Sequence, residues 1–200
     1  MNKRVEDLIN SIKELEKELS DEFEKELIGM RERLEYSIEQ GKVRFRQQAI
    51  AAQRSLKKDV YHYLRESNII FIVSAPIIYA MIVPLLLLDL FLSVYQAVCF
   101  PLYRIAKVNR EDYLIVDRQH LAYLNMIEKI NCMYCGYGNG LLSYGLEIAS
   151  RTEAFWCPIK HAKRPRDAHS RYHTFSEYGD AAGYEKRLRK SREARTTSYP

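Results

Sequence analysis

Residues 69–101 read IIFIVSAPIIYAMIVPLLLLDLFLSVYQAVCFP, and Asp89 is the only ordinary charge among them. About 20 apolar residues in a helix cross a bilayer. The run is therefore long enough for one span with a further stretch, and short for two comfortable spans. Pro76 and Pro84 are expected to kink it, and Asp89 to break it. Three geometries follow. The first expectation is a helix–break–helix hairpin that enters the membrane and returns. A single span over about 69–88, followed by an interfacial helix from Asp89 to about Ile105, is the second. A buried soluble core helix is the third, and the lack of a polar stripe over such a length weakens it.

The flanks favour the hairpin. Lys57, Lys58 and Arg65 precede the run, and Arg104, Lys107 and Arg110 follow it. Positive charge on both sides places both ends on the cytoplasmic face. Residues 1–41 hold seven basic against twelve acidic residues, whereas 42–66 hold seven against two. A basic block beside an apolar segment suits an anionic leaflet, although a solvated helix face has the same composition.

Upstream, Val5, Leu8, Ile12, Leu15 and Leu19, then Phe23, Leu27, Met30, Leu34 and Ile38, are spaced three and four apart. This predicts an amphipathic helix with a coiled-coil-like start, able to meet a protein partner or a second copy. Gly41 is the expected break. A basic helix over 42–67 follows, and Ser67 or Asn68 would cap the apolar run. Downstream, Leu114, Ile115, Leu121, Leu124, Ile127 and Ile130 fit a helix within 108–131. The fold class expected is all-α, in four parts: N-terminal helices (1–67), a membrane segment (68–106), a Cys/His domain (107–162) and a basic tail (163–200). Phe175 to Asp180, with Tyr184 and Leu188, reads as a docking turn followed by a helix.

The chemistry rests on the cysteines. The chain opens on a charged helix rather than an apolar leader, so a reducing compartment is expected for them. Cys132 and Cys135 have C-x-x-C spacing, with Gly136 and Gly138 directly after. Cys157 and His161 lie four apart. Three thiolates and one imidazole make a closed tetrahedral site, the usual structural zinc arrangement, and sulfur ligands would also accept iron. His169 and His173 are alternative fourth ligands. A redox dithiol remains open as well, though no βαβ context supports it. Haem attachment fails, because Gly136 rather than His follows the second cysteine. Cys99 is expected as a membrane-buried thiol, and His62 and His120 as ordinary helix residues. Tyr137, Tyr144 and Trp156 would shield the cluster or form core. Residues 132–138 resemble the metal-binding knuckle of rubredoxins and zinc ribbons.

No phosphate-binding loop, dinucleotide fingerprint, serine elbow or H-E-x-x-H occurs, which lowers the prospect of an enzyme. Arg164, Arg166, Lys186, Arg187, Arg189, Lys190 and Arg192 form a basic tail that could touch RNA or lipid phosphates. The aromatic residues show no stacking pattern for nucleic acid, so lipids and a protein partner are the expected partners.

Three stretches, Asn131 to Gly140, Arg151 to Ala162 and Tyr178 to Ala181, together resemble a family of uncharacterised bacterial membrane-associated proteins. The resemblance implies the bacterial inner membrane, with soluble parts in the cytoplasm, and it implies no activity. The functional expectation is a membrane-anchored scaffold or regulator stapled by structural zinc. An iron or dithiol electron carrier, and a binder of nucleic acid or lipid headgroups, are the alternatives.

Overall fold

A computed structural model describes residues 3–39, 42–163 and 165–193. It is mainly helical, as the sequence implies. Helix α1 (Lys3–Arg33) packs against the strand that follows it and leaves Leu8, Ile12, Leu15, Leu19 and Phe23 exposed. The amphipathic helix is thus present, with its apolar stripe uncovered.

The helix does not continue to Ile38. Glu35 takes a left-handed φ of 54°, and strands β1 (Tyr36–Glu39) and β2 (Lys42–Phe45) pair antiparallel. Tyr36 opposes Phe45 and Ile38 opposes Val43, so aromatic and β-branched partners meet across the ribbon. Such cross-strand pairs are what a sheet gains from. The expected break at Gly41 lies outside the described residues. The basic stretch is then two short helices, α2 (Gln47–Ser55) and α3 (Val60–Glu66), because Asp59 caps the second through the Tyr61 N–H.

Asn68 caps α4 (Ile69–Ala80) by accepting from the Ile70 N–H, as expected. After a single residue, Met81, the chain continues as α5 (Ile82–Tyr103). Pro84 has no N–H for the Ala80 carbonyl, which accounts for the interruption there. The Tyr134 hydroxyl donates to the Ile78 carbonyl at 2.7 Å beside the break. The turn expected at Asp89 is absent: Asp89 lies inside α5, and Ile69 to Tyr103 acts as one 35-residue helix, long and apolar enough by composition to cross a membrane. Pro101 is tolerated near its end. Arg104 closes the helix in a left-handed conformation, and the Ile105 N–H bonds to the Phe100 carbonyl.

Residues 105–125 correct a second expectation. They form an extended strap with two short 3₁₀ turns, not a helix. The strap is held by side chains. Gln96 of α5 accepts the Val108 N–H at 2.6 Å and donates to the Val108 carbonyl at 3.2 Å. Asn125 and Glu128 then form a reciprocal capping box that starts α6 (Met126–Trp156). Helix α6 runs parallel to α4–α5. Tyr79 meets Asn131, Leu85 meets Gly138, Gln96 meets Tyr144 and Tyr103 meets Phe155, in ascending order on both. The strap returns the chain along their groove. Phe100, Val108, Leu141, Tyr144 and Ile148 form the buried core between the three. Finally α7 (Ala181–Glu193) packs on the end of α6, where Ser191 donates to the Ala154 carbonyl. The turn and helix expected there are present. Arg164 and residues 194–200 lie outside the described residues.

Candidate functional site

The thiols do not converge. Cys132 and Cys135 sit one turn apart on α6, which is helical straight through the expected knuckle. Cys157 is the C-cap of the same helix, 22 residues beyond Cys135, or roughly 33 Å along the axis. Zinc–sulfur bonds are about 2.3 Å, so these sulfurs cannot share one ion in this fold. The exposed His161 stacks its ring on Tyr172, whose hydroxyl accepts the His161 N–H at 2.7 Å. His169 bonds Glu153 at 2.9 Å, and His173 lies in a 3₁₀ turn. Among the described residues no group of three or more His, Cys, Asp and Glu side chains is placed to hold a metal. Cys99 is half-buried in α5.

The glycines after Cys135 have another cause. A Cβ on Gly140 would lie 2.5 Å from the Tyr113 carbonyl oxygen, and one on Gly136 would lie 3.4 Å from that of Ile115. These two positions, four apart, let the strap backbone press on the helix. Gly138 and Gly145 instead face Leu85 and Leu92 of α5. Small residues at helical spacing permit such close approach.

The motif from Arg151 to His161 is taken up by a polar clasp. Glu147 receives Arg171 in a two-pronged pair, both contacts 2.7 Å, and Arg151 at 2.7 Å. Arg151 also donates to the Ala106 carbonyl at 2.6 Å, tying the strap to α6. Arg171 reaches Ser150 at 2.7 Å. Burial pushes the Glu147 carboxyl up, but the Arg171 and Arg151 guanidiniums outweigh it and hold the group below the usual range. Thr152 bonds Tyr95 at 3.0 Å, and Pro158 and Lys160 bond Ser176 through their backbones at 2.8 Å. Trp156 meets Tyr103 and Phe155 edge to face, beneath Arg192. The motif therefore ties α6 to the strap, to α5 and to the C-terminal segment.

Burial, with Glu153 as a smaller influence, pushes the Cys157 thiol up. A raised pKa keeps the sulfur protonated and slow as a nucleophile or metal ligand. We expect the pH profile of iodoacetamide labelling at Cys157, read by peptide mass spectrometry, to have its midpoint above that of free cysteine. A midpoint at or below it would contradict the assigned surroundings.

Asp89 is matched by a strap residue. Arg110 donates to it at 2.6 Å, the Tyr137 hydroxyl at 2.9 Å and Ser93 at 3.4 Å. Its carboxylate is thus a neutralised link between α5, α6 and the strap.

The remaining surface is unusual in what it lacks. On α4–α5 the exposed side chains are apolar from end to end, with Ile77 75%, Phe91 69% and Leu102 72% exposed. The exposed positions of α6 from Met126 to Ala149 carry no charge, and include Met126, Ile130, Met133, Leu142 and Leu146. Asn139, the most polar of them, donates back to the Cys135 carbonyl at 3.0 Å. By contrast, the strap exposes Arg110, Glu111, Asp112, Asp117 and Arg118. Charge on α6 outside its first turn begins only at Glu147, a signal of the clasp that sequence patterning offered and metal spacing obscured. No protein-family model, curated protein or solved structure matches this chain. The class that fold and site define is a mainly helical protein with a clasped body and two long helices whose exposed positions, over 69–103 and 126–149, carry no charge.

Proposed function

We propose that this chain is a membrane-docked helical scaffold, attached through the free face of α4–α5 and α6. The supporting observation is the continuous uncharged exposure along both long helices. Exposed apolar patches beyond a few hundred Å² mark protein or membrane contact. Helix α4–α5 is roughly 52 Å long, well beyond the ~30 Å hydrocarbon layer. A perpendicular crossing would drag the charged, irregular strap into lipid, where its backbone finds no water. Face-on docking leaves the strap, clasp and α7 in water. The basic residues before and after the apolar helix then meet anionic headgroups. Helix α1, with its uncovered stripe, is the element offered to a protein partner or a second copy. The zinc staple forms no part of this reading.

The test is flotation with phosphatidylethanolamine–phosphatidylglycerol vesicles. We expect the wild-type chain to float, and Phe91→Glu/Val94→Glu to lose at least tenfold in bound fraction. Burying an exposed apolar side chain contributes about 1.5–3 kcal/mol, which sets that scale. A wild-type chain that stays at the bottom of the gradient overturns the proposal.

A further inference from the structure

We infer that the cavity between α3, α4 and α6 binds a single acyl chain that carries a carbonyl head. The cavity measures about 600 Å³, inside the ~300–1,000 Å³ of small-ligand sites. Its wall is apolar, formed mainly by Leu64, Phe71, Ile72, Ala75, Ile78 and Ile127. Phe71, Ile72 and Ile78 line the cavity and are also exposed, so the cavity is continuous with the exposed apolar side chains of α4 proposed to meet lipid. That continuity favours a lipid chain as occupant, and to this extent the inference rests on the membrane reading.

One polar pair supplies the head. The Tyr79 hydroxyl donates to Asn131 Oδ1, which leaves the amide N–H₂ as the donor end of the side chain. Asn131 lines the cavity, and its amide is engaged through Oδ1. An amide N–H₂ donates two hydrogen bonds and accepts none, so it suits an acceptor head, of which the ester carbonyl or carboxylate of an acyl chain is the kind that accompanies an apolar wall. Tyr134 is spent on the Ile78 carbonyl and does not compete. A free fatty acid and a phospholipid share this chemistry.

Cys135 also lines the cavity and gives the readout. In the full-length chain held in amphipol, Cys99, Cys132 and Cys157 are replaced by Ser, leaving Cys135 alone. Its alkylation by a maleimide is timed against sodium oleate. We expect saturable slowing of at least fivefold. Asn131→Leu should raise the half-saturating concentration about tenfold. Ala75→Trp, which fills the cavity, should abolish protection while Cys135 still reacts. If Ala75→Trp loses its helical circular dichroism, Ile127→Trp serves in its place. A second arm offers phosphatidylglycerol vesicles without oleate. Protection there alone assigns the occupant to bilayer lipid, and protection by oleate alone assigns it to free acid. An alkylation rate unmoved in both arms, or equal protection in wild type and filled variants, overturns the inference. A chain that fails to float yet is protected by oleate keeps this site and loses the membrane reading.

Discussion

Arg171→Ala is expected to destabilise the fold by about 3 kcal/mol, read as a shift in the urea midpoint at pH 7. Both members of the Glu147–Arg171 pair keep only 14% and 13% of their side-chain surface. Removing one partner of such a pair leaves a desolvated charge, a loss of about 3–5 kcal/mol. Arg151 remains on Glu147, which places the expectation at the low end of that range. The loss should be shared with the strap, because Arg151 is the same residue that holds the Ala106 carbonyl. Replacing both partners, Glu147→Leu with Arg171→Met, should recover part of the deficit, since no charge is then stranded.

The pH dependence has a definite sign. The Glu147 carboxyl is held low in the folded chain, so its contribution is complete above the ordinary value near 4.5. It is lost as pH falls through the lower folded value. The gap between wild type and Arg171→Ala should therefore narrow on acidification below about 4.5. A gap under about 1 kcal/mol at pH 7, the size of an exposed pair, would show that the clasp is solvated.

The long helix was legible because its signal is local. Asn68 is a cap at the edge of an uninterrupted apolar run, and both features depend only on neighbours in sequence. Asn125 with Glu128 was equally local, and it starts α6 before the cysteines. The thiols lie apart, on one helix rather than in a knuckle, because C-x-x-C followed by glycines fits two backbones. In a knuckle the glycines serve a turn, and in α6 they admit a carbonyl from 21 or 27 residues upstream, Ile115 at Gly136 and Tyr113 at Gly140. Nothing in the spacing separates the two, because the deciding contact is long-range. Asp89 shows the same limit. Its break-like look disappears once Arg110 and Tyr137 supply its hydrogen bonds. The strap's apolar residues mimic a helix for a related reason: they pack along a groove and follow no period of their own.

Gly140→Ala tests that long-range contact, and we expect it to cost about 2 kcal/mol or more. Alanine ordinarily stabilises a helix interior over glycine by about 1 kcal/mol, so the sign itself is informative. At Gly140 the new methyl would meet Tyr113 O at 2.5 Å, Leu114 Cα at 3.1 Å and Tyr113 C at 3.2 Å. All three are backbone atoms, and they cannot rotate away. The strap must lift, and with it go the Arg110–Asp89 pair and the Gln96 bonds to Val108. Two residues away, Gly138→Ala meets only Leu85 Cδ1 at 3.5 Å, an ordinary contact, and should be neutral or stabilising by up to ~1 kcal/mol. Gly29 has nothing within 4 Å, so Gly29→Ala should raise stability of α1 alone. Trypsin gives the second readout. In Gly140→Ala, cleavage after Arg110 and Arg118 should speed up, while Gly138→Ala should digest as the wild type does. Equal behaviour of the two variants would mean that the strap does not lie against α6, and the neutralisation of Asp89 would fall with it.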